Sequence, residues 1–364
     1  MRRTAALIAG GGPAGSAAAI RLAHNGARPL LIERTRETGD ALCGGFLSWR
    51  TLQSLELLGL SADALGGHAV SRVRVFAEGR ATEAHLPAPA IGLSRRRLDS
   101  LMLAAAARAG AGIERGTSIS SAAAGSVALA DGADIACDSL FLATGKHDCR
   151  GLPRPRPATD DPALGLRLRL PASPQLAKRV GDAIELHLFR GGYAGLVLQE
   201  DGSGNLCLAV RKSLLTESGG DAWHLLKTLA SASPAFAGRM ACADSSATIN
   251  AIGSVPYGWR ATAGVAGLFR LGDQAAVIPS LAGEGMGIAI ASGMRSADAW
   301  LKQGPAAAIA FQRDLARRTA APVRLASWLR NAAETRWSRR MAPALIGHMP
   351  RLLAWVAHHT RIES

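Results

Sequence analysis

Apolar residues in this chain fall into short runs that stop at glycines or acids. Leu7-Ile8-Ala9 breaks into Gly10-Gly11-Gly12, and Pro29-Leu30-Leu31-Ile32 closes on Glu33. Runs of this length between turn residues predict buried strands. Between them, residues 16–24 read as a helix that stops at Asn25-Gly26, a pair that tolerates the left-handed conformation of a helix end. Farther on, Leu52, Leu55 and Leu58 recur at helical spacing for one buried face, and residues 70–76 and 81–86 read as short strands. A helix over 98–109 precedes strand-like residues 126–129 and Ile135, then a buried run over 139–142 that turns at Ala143-Thr144-Gly145. Pro153, Pro155 and Pro157 mark a crossing into a strand-rich stretch, about 165–254, with strands at 185–189, 194–199 and 206–210 and a helix at 222–230. Apolar strand and glycine turn return at 267–273, followed by a helix over 288–301 and a helical region from about Pro305 to the end.

The N-terminal run carries the first chemical signal. Gly10, Gly12 and Gly15 fit G-x-G-x-x-G between a strand and a helix, and Glu33 ends the next strand. Gly10 permits the tight turn, Gly12 lets amides approach a pyrophosphate, and Gly15 lets helix and strand pack closely. The helix N-terminus offers free N–H groups and partial positive charge to phosphates. Glu33 lies near the distance at which a carboxylate accepts both hydroxyls of an adenosine ribose. The pattern predicts dinucleotide binding. A secretory leader is the competing reading of Arg2-Arg3 and the small apolar residues after them, but three consecutive glycines interrupt the run. The expectation is a cytoplasmic protein without a cleaved leader or membrane span.

Composition narrows the class. With 364 residues, 48% of them hydrophobic and few aromatic, the chain suits a large α/β enzyme core. Five scattered cysteines with no C-x-x-C pair argue against zinc, iron–sulfur clusters and a disulfide framework, and no metal site is expected. The formal net charge of +14 raises nucleic acid as a partner, but no helix-turn-helix, zinc-finger or RNA-recognition signature accompanies it, so none is expected.

Four signals stand in one order: the dinucleotide loop, Arg95-x-x-Leu98-Asp99, Ala143-Thr144-Gly145, and Gly272-Asp273 with a glycine-rich sequel. Together, over roughly residues 1–300, they resemble the flavoprotein superfamily of para-hydroxybenzoate hydroxylase and the geranylgeranyl reductases. Gly283-Glu284-Gly285-Met286 followed by Ala289, Ala291, Ser292 and Gly293 is similar to the reductase branch, as is Cys43-Gly44-Gly45. The resemblance implies FAD as cofactor. It puts Asp273, with Gly272, at the ribityl chain, Arg95 near the pyrophosphate, and Cys43 and Gly44 beside the isoalloxazine. Pro13, Ala14, Arg34, Ala143, Thr144, Gly145, Gly283, Gly285, Met286 and Gly287 complete the cofactor site. A guanidinium for a diphosphate and a carboxylate for sugar hydroxyls agree with that division.

The implied architecture is α/β: a Rossmann-type FAD domain in three pieces (1–69, 95–152 and 263–303), a β-sheet-rich substrate domain (70–94 and 153–262), and C-terminal helices (304–364). The implied activity is an FAD-dependent oxidoreductase, a geranylgeranyl reductase-like enzyme for an apolar, isoprenoid-like substrate. The alternative is a flavin monooxygenase acting on an apolar aromatic or polyketide compound. Electrons would come from NAD(P)H or another donor, and there is no second G-x-G-x-x-G to hold a nicotinamide dinucleotide. The chain departs from the family at three places. Gly191-Gly192-Tyr193-Ala194-Gly195-Leu196 lacks the Trp, Phe and Pro of the reductases' Y-x-W-x-F-P. Thr144 stands where an A-D-G turn has Asp, and Val277 follows Gly272-Asp273-Gln274-Ala275-Ala276 where aromatic hydroxylases carry His.

Cys43 and Tyr193 are the candidate catalytic residues. Cys43 reads either as a proton or redox group at the flavin or as a small hydrophobe packed under it, and Tyr193 as a substrate hydrogen-bonder or a sheet tyrosine. His147, in Lys146-His147-Asp148, reads as a proton carrier or an exposed loop residue. Glu284 reads as a helix cap or backbone-positioning residue without a part in proton transfer. In the C-terminal region Trp328, Leu329, Trp337, Leu345, Leu352, Leu353, Trp355 and Val356 alternate with Arg324, Arg330, Arg336, Arg339, Arg340 and Arg351. One reading is a helical cap with a solvated arginine face. The other is peripheral contact with an anionic membrane that delivers a hydrophobic substrate.

Overall fold

The computed structural model describes residues 2–155, 159–253, 255–341 and 359–361. Leu345, Arg351, Leu352, Leu353, Trp355, Val356 and Pro157 lie outside them. The first strand, Arg2–Ala9, lies between Leu30–Glu33 and Asp134–Leu142, parallel to both, and Gly112–Arg115 extends the sheet beyond Leu30–Glu33. The Asp134–Leu142 strand also pairs in parallel with Leu268–Arg270 and antiparallel with Ser126–Leu129, which forms a hairpin with Ile119–Ala123. Leu7, Ile8, Leu140 and Phe141 are fully buried, as a parallel sheet covered on both faces requires.

Helix Pro13–His24 packs on this sheet against Arg95–Arg108 and Gly285–Gln303. Small residues set the distances. A Cβ on Gly293 would sit 2.3 Å from the Ala14 carbonyl oxygen, and one on Gly15 would sit 1.9 Å from that of Gly10. These approaches bring the N-termini of helices Pro13–His24 and Gly285–Gln303 to one side of the sheet.

A second sheet runs in the order Asn250–Ile252, Ala163–Leu170, Gly204–Arg211, Gly192–Leu198, Ala183–Phe189, His68–Ala77, Arg80–Gly92 and Phe46–Leu47. It is antiparallel except where Ala183–Phe189 meets His68–Ala77. The chain thus passes to this sheet and back twice before the Gly285–Gln303 helix. Glu185 is fully buried here and is held by Arg74 and Arg239 through 2.7 and 2.6 Å ion pairs. Burial alone would raise the Glu185 pKa, but hydrogen bonds from His187 and Arg239 and the charge of Arg239 push it down to about 2. The long helix Ala307–Glu334 then lies across both sheets.

Two readings of the sequence change at this level. Residues 70–76 and 81–86 are parts of longer strands, because pairing with each other extends both to His68–Ala77 and Arg80–Gly92. The arginines near the end do not form one solvated face. Arg324, Arg336 and Arg340 are exposed, whereas Arg339 is buried against Glu78 at 2.9 Å and Arg330 lies over the Tyr257 ring and beside Glu334. Each inward arginine has a carboxylate partner that compensates its desolvation.

Candidate active site

A cavity of about 1420 Å³ opens between the two sheets. Its floor is the glycine loop. Gly10 has φ of 108°, a conformation glycine takes without strain, and a Cβ there would strike the Ala143 carbonyl oxygen at 2.6 Å. Gly12 is the N-cap of helix Pro13–His24 and supplies no side chain to the first-turn amides, which leaves them for an anion. Arg95 lies against this loop, its Nη2 3.3 Å from where a Gly12 Cβ would be. Asp99 holds the guanidinium with bonds of 2.8 and 2.7 Å. Burial would lower the Arg95 pKa, but the charge and hydrogen bonds of Asp99 outweigh it and raise it, so the cation persists inside the protein.

Glu33 is aimed by the backbone. Gly11 N–H donates to its Oε2 at 2.8 Å, and the N–H and hydroxyl of Thr35 donate to Oε1 at 2.9 and 2.8 Å. A carboxylate offers about four acceptor directions, so capacity remains for ribose hydroxyls. Arg34 donates to His147 at 3.1 Å, and Lys146 reaches the Leu42 carbonyl at 2.8 Å, tying the loop after Glu33 to the turn after Gly145. His147 is exposed. The part of its ring that is covered by the loop, then the charges of Arg34, Arg154 and Lys146, lower its pKa and favour the neutral form.

Asp273 borders the same cavity in a loop held on two sides. Ser292 Oγ accepts the Gly272 N–H at 2.9 Å. Arg154, nearly fully buried, donates to the Asp273 carbonyl at 2.9 Å, to the Lys146 carbonyl at 2.7 Å and to Asp148 at 2.7 Å. Gln274 donates to the carbonyls of Gly145 and His147, each at 2.9 Å. Arg154 and Gln274 therefore join the turn after Ala143 to the Gly272-Asp273 loop. Neither stood out in the sequence, since Arg154 sits among prolines without any motif.

The Cys43 segment is fastened from the second sheet. Asn205 Nδ2 and the Cys207 thiol donate to the Cys43 carbonyl at 2.9 and 3.0 Å, and burial pushes the Cys207 thiol up to about 12. Asp40 accepts from the Arg95 N–H at 3.1 Å and from Arg169 at 2.8 Å, and it forms an ion pair with Arg167 at 2.8 Å. Tyr193 is buried, and its hydroxyl meets Ser280 Oγ; Tyr257 approaches the same oxygen at 3.3 Å. These are the chain's two tyrosines.

The cavity wall includes Gly10, Gly12, Pro13, Ala14, Glu33, Arg34, Cys43, Gly44, Arg95, Ala143, Thr144, Gly145, Tyr193, Gly272, Asp273, Gly283, Gly285 and Met286. Gly15 and Gly287 are not on the wall and act by packing, the latter because its missing Cβ leaves room for Glu284. Glu284 is the N-cap residue of Gly285–Gln303, but its side chain makes no capping bond. It turns instead toward Ser48, whose Oγ donates to Oε2 at 3.2 Å.

Residues 3–130 match the family model described as the FAD binding domain. The chain contains an FAD-binding domain over these residues. It is 30% identical over 162 residues to the menaquinone reductase of Mycolicibacterium smegmatis, a match covering 41% of this chain. It spans 39% of that relative's length. Among solved structures, PqsL of Pseudomonas aeruginosa in complex with 2-aminobenzoylacetate superposes with a TM-score of 0.73 at 20% identity, over 93% of this chain and 98% of PqsL. A geranylgeranyl bacteriochlorophyll reductase-like protein of Thermoplasma acidophilum gives 0.69 at 18% identity, over 97% of this chain and 100% of that one. At these identities the likenesses establish a shared fold.

The residues fit FAD. A glycine loop at a helix N-terminus, the buried Arg95 cation beside it, Glu33 held by the Gly11 and Thr35 amides, and Asp273 on a stitched loop all border one cavity, the donor and acceptor set that a dinucleotide needs.

Proposed function

We propose that this flavoprotein reduces an apolar, isoprenoid- or quinone-like substrate with electrons from NAD(P)H or another two-electron donor. The observation that carries the reading is the apolar wall beyond the glycine loop. Val73, Val75, Leu86, Ile184, Leu186 and Leu188 line the cavity from the second sheet, and Leu325 and Leu329 line it from the long helix. Such a wall gains by removing a hydrocarbon from water, about 25 cal/mol per Å² of apolar surface, and offers little to a charged substrate. The partial match to a menaquinone reductase supports the same class.

FAD supplies hydride chemistry at its ring when bound, and the protein supplies binding and orientation. The Gly12 amide and Arg95 would hold the phosphates, Glu33 the adenosine ribose and Asp273 the ribityl chain. Cys43 and Gly44 would lie beside the ring, and the apolar wall would align the substrate while excluding water. Cys43 is a placement residue in this account, because its carbonyl is fastened at 2.9 and 3.0 Å and its position follows from that.

The Tyr193–Ser280–Tyr257 hydroxyls favour a second reading, hydroxylation of an apolar compound that bears an oxygen for them to bind. Anaerobic reduction of the purified flavoprotein separates the two. Oxidation of the reduced flavin by a lipid quinone or polyprenyl compound without oxygen supports the reductase. Reoxidation that requires oxygen and is accelerated by an aromatic substrate supports the monooxygenase.

The substrate class suggests where it is collected. Trp328, Trp337 and Met341 are exposed and border the cavity, with exposed Arg324, Arg336 and Arg340 around them. Aromatic side chains with arginines suit the surface of an anionic bilayer, and this mouth would receive a lipid from it. No helix among the described residues is long and apolar enough to cross a membrane.

A further inference from the structure

Glu284 is a buried carboxyl beside the cavity that the assignments above leave without a role. It is 1% exposed, and among the described residues its Oε1 has no hydrogen-bond partner. That oxygen lies over Gly287, 2.2 Å from where a Cβ would stand, so only glycine admits this conformation. Oε2 accepts from Ser48, and Ser48 Oγ is 3.2 Å from Thr51 Oγ1. Among the described residues the charged groups facing the carboxyl are Arg361, whose Nε lies 3.5 Å from Oε2, and Arg50. The amide end of the Gly285–Gln303 helix adds partial positive charge. Gly283, Gly285 and Met286, its chain neighbours, line the cavity together with Cys43 and Gly44.

A carboxylate in this setting has one oxygen unsolvated and undonated, which disfavours its charged form. Burial, opposed by Arg361, the Ser48 hydrogen bond and Arg50, pushes the carboxyl up to about 7. The group therefore changes charge near neutrality, and any negative charge arriving in the cavity moves it toward the neutral acid.

We propose that Glu284 takes up one proton from water as an electron pair enters the bound FAD, and so stores beside the ring the proton that must follow hydride into the substrate. Reduction of a double bond or carbonyl consumes two electrons and two protons. One hydrogen nucleus travels with the electron pair as hydride. The other comes from the Glu284 O–H bond, whose breaking leaves a carboxylate with Ser48 and Arg361 beside it. The electron pair originates in the two-electron donor. This inference rests on the FAD reading and assigns a residue within it.

The test is the midpoint potential of the flavin bound to the full-length protein, followed from about pH 5.5 to about pH 8.5, in the native chain and in Glu284→Gln. The native potential should fall more steeply with pH over a window near neutrality, by one extra proton per electron pair, and Glu284→Gln should lose that window. Ser48→Ala removes a donor to the charged form, so it should move the window to higher pH. It carries the test if Glu284→Gln does not retain flavin. Equal slopes in native and Glu284→Gln protein, or an unmoved window in Ser48→Ala, would overturn the proposal. A protein that binds no FAD refutes the cofactor reading and this one with it, whereas bound FAD with equal slopes refutes the role of Glu284 alone.

Discussion

Replacing Glu33 by Gln tests the geometry of the cofactor site with almost no change in volume. Both carboxylate oxygens accept backbone N–H groups, Oε2 from Gly11 at 2.8 Å and Oε1 from Thr35 at 2.9 Å. An amide has one oxygen and one NH₂ group. Whichever way the substituted amide is turned, its NH₂ faces a backbone N–H, so one donor goes unpaired and the other loses a charged acceptor. A hydrogen bond to a charged group contributes roughly 1.5–3 kcal/mol, and a stranded donor costs a similar amount. The glycine loop should therefore lose about 1.5–3 kcal/mol of its preference for the binding conformation, and the ribose loses an anionic acceptor as well. FAD affinity should fall at least 10-fold and up to about 150-fold. Quenching of flavin fluorescence, titrated into apoprotein, measures it. FMN has no adenosine, so its weaker binding should change far less. An unchanged Kd for FAD, or equal losses for FAD and FMN, would refute the assignment of Glu33 to the ribose.

Gly15→Ala puts a Cβ 1.9 Å from the Gly10 carbonyl oxygen; overpacking against backbone should cost more than about 3 kcal/mol, visible as loss of yellow, folded protein. Glu185 has a depressed folded-state pKa, so its stabilisation is present above about 4.5 and is lost as pH falls toward about 2. That shift corresponds to roughly 3 kcal/mol, and Glu185→Gln should be less stable at neutral pH and show a shallower acid unfolding curve. Cys43→Ser should alter the flavin absorbance while leaving turnover near normal; an unaltered spectrum would remove Cys43 from the ring. Replacing Arg324, Arg336 and Arg340 with Gln should weaken salt-sensitive binding to anionic vesicles without lowering flavin content. Equal binding to neutral vesicles would remove the electrostatic argument.

Local physics made one end of this protein readable in its sequence. The strand, glycine turn and helix at Arg2–His24 and the acid closing Leu30–Glu33 depend on neighbours within a few residues: apolar runs between turn residues, and glycines where a side chain would collide. Ser173-Pro174 and Ser233-Pro234 carried the same kind of information. Each is an N-cap serine followed by proline at the first helical position, enough to have marked the short helices Pro174–Val180 and Pro234–Met240. Strand lengths were less legible, since residues at the ends of His68–Ala77 and Arg80–Gly92 are extended because they pair with each other, and pairing is not written in either segment. The cavity belongs to the tertiary structure altogether. Arg154 meets Asp273 across more than a hundred residues, both tyrosines converge on Ser280, and Glu284 meets Ser48 and Arg361 only in the folded chain. Side-chain type is a property of the sequence, whereas the burial and partners that set its charge state are properties of the packed molecule.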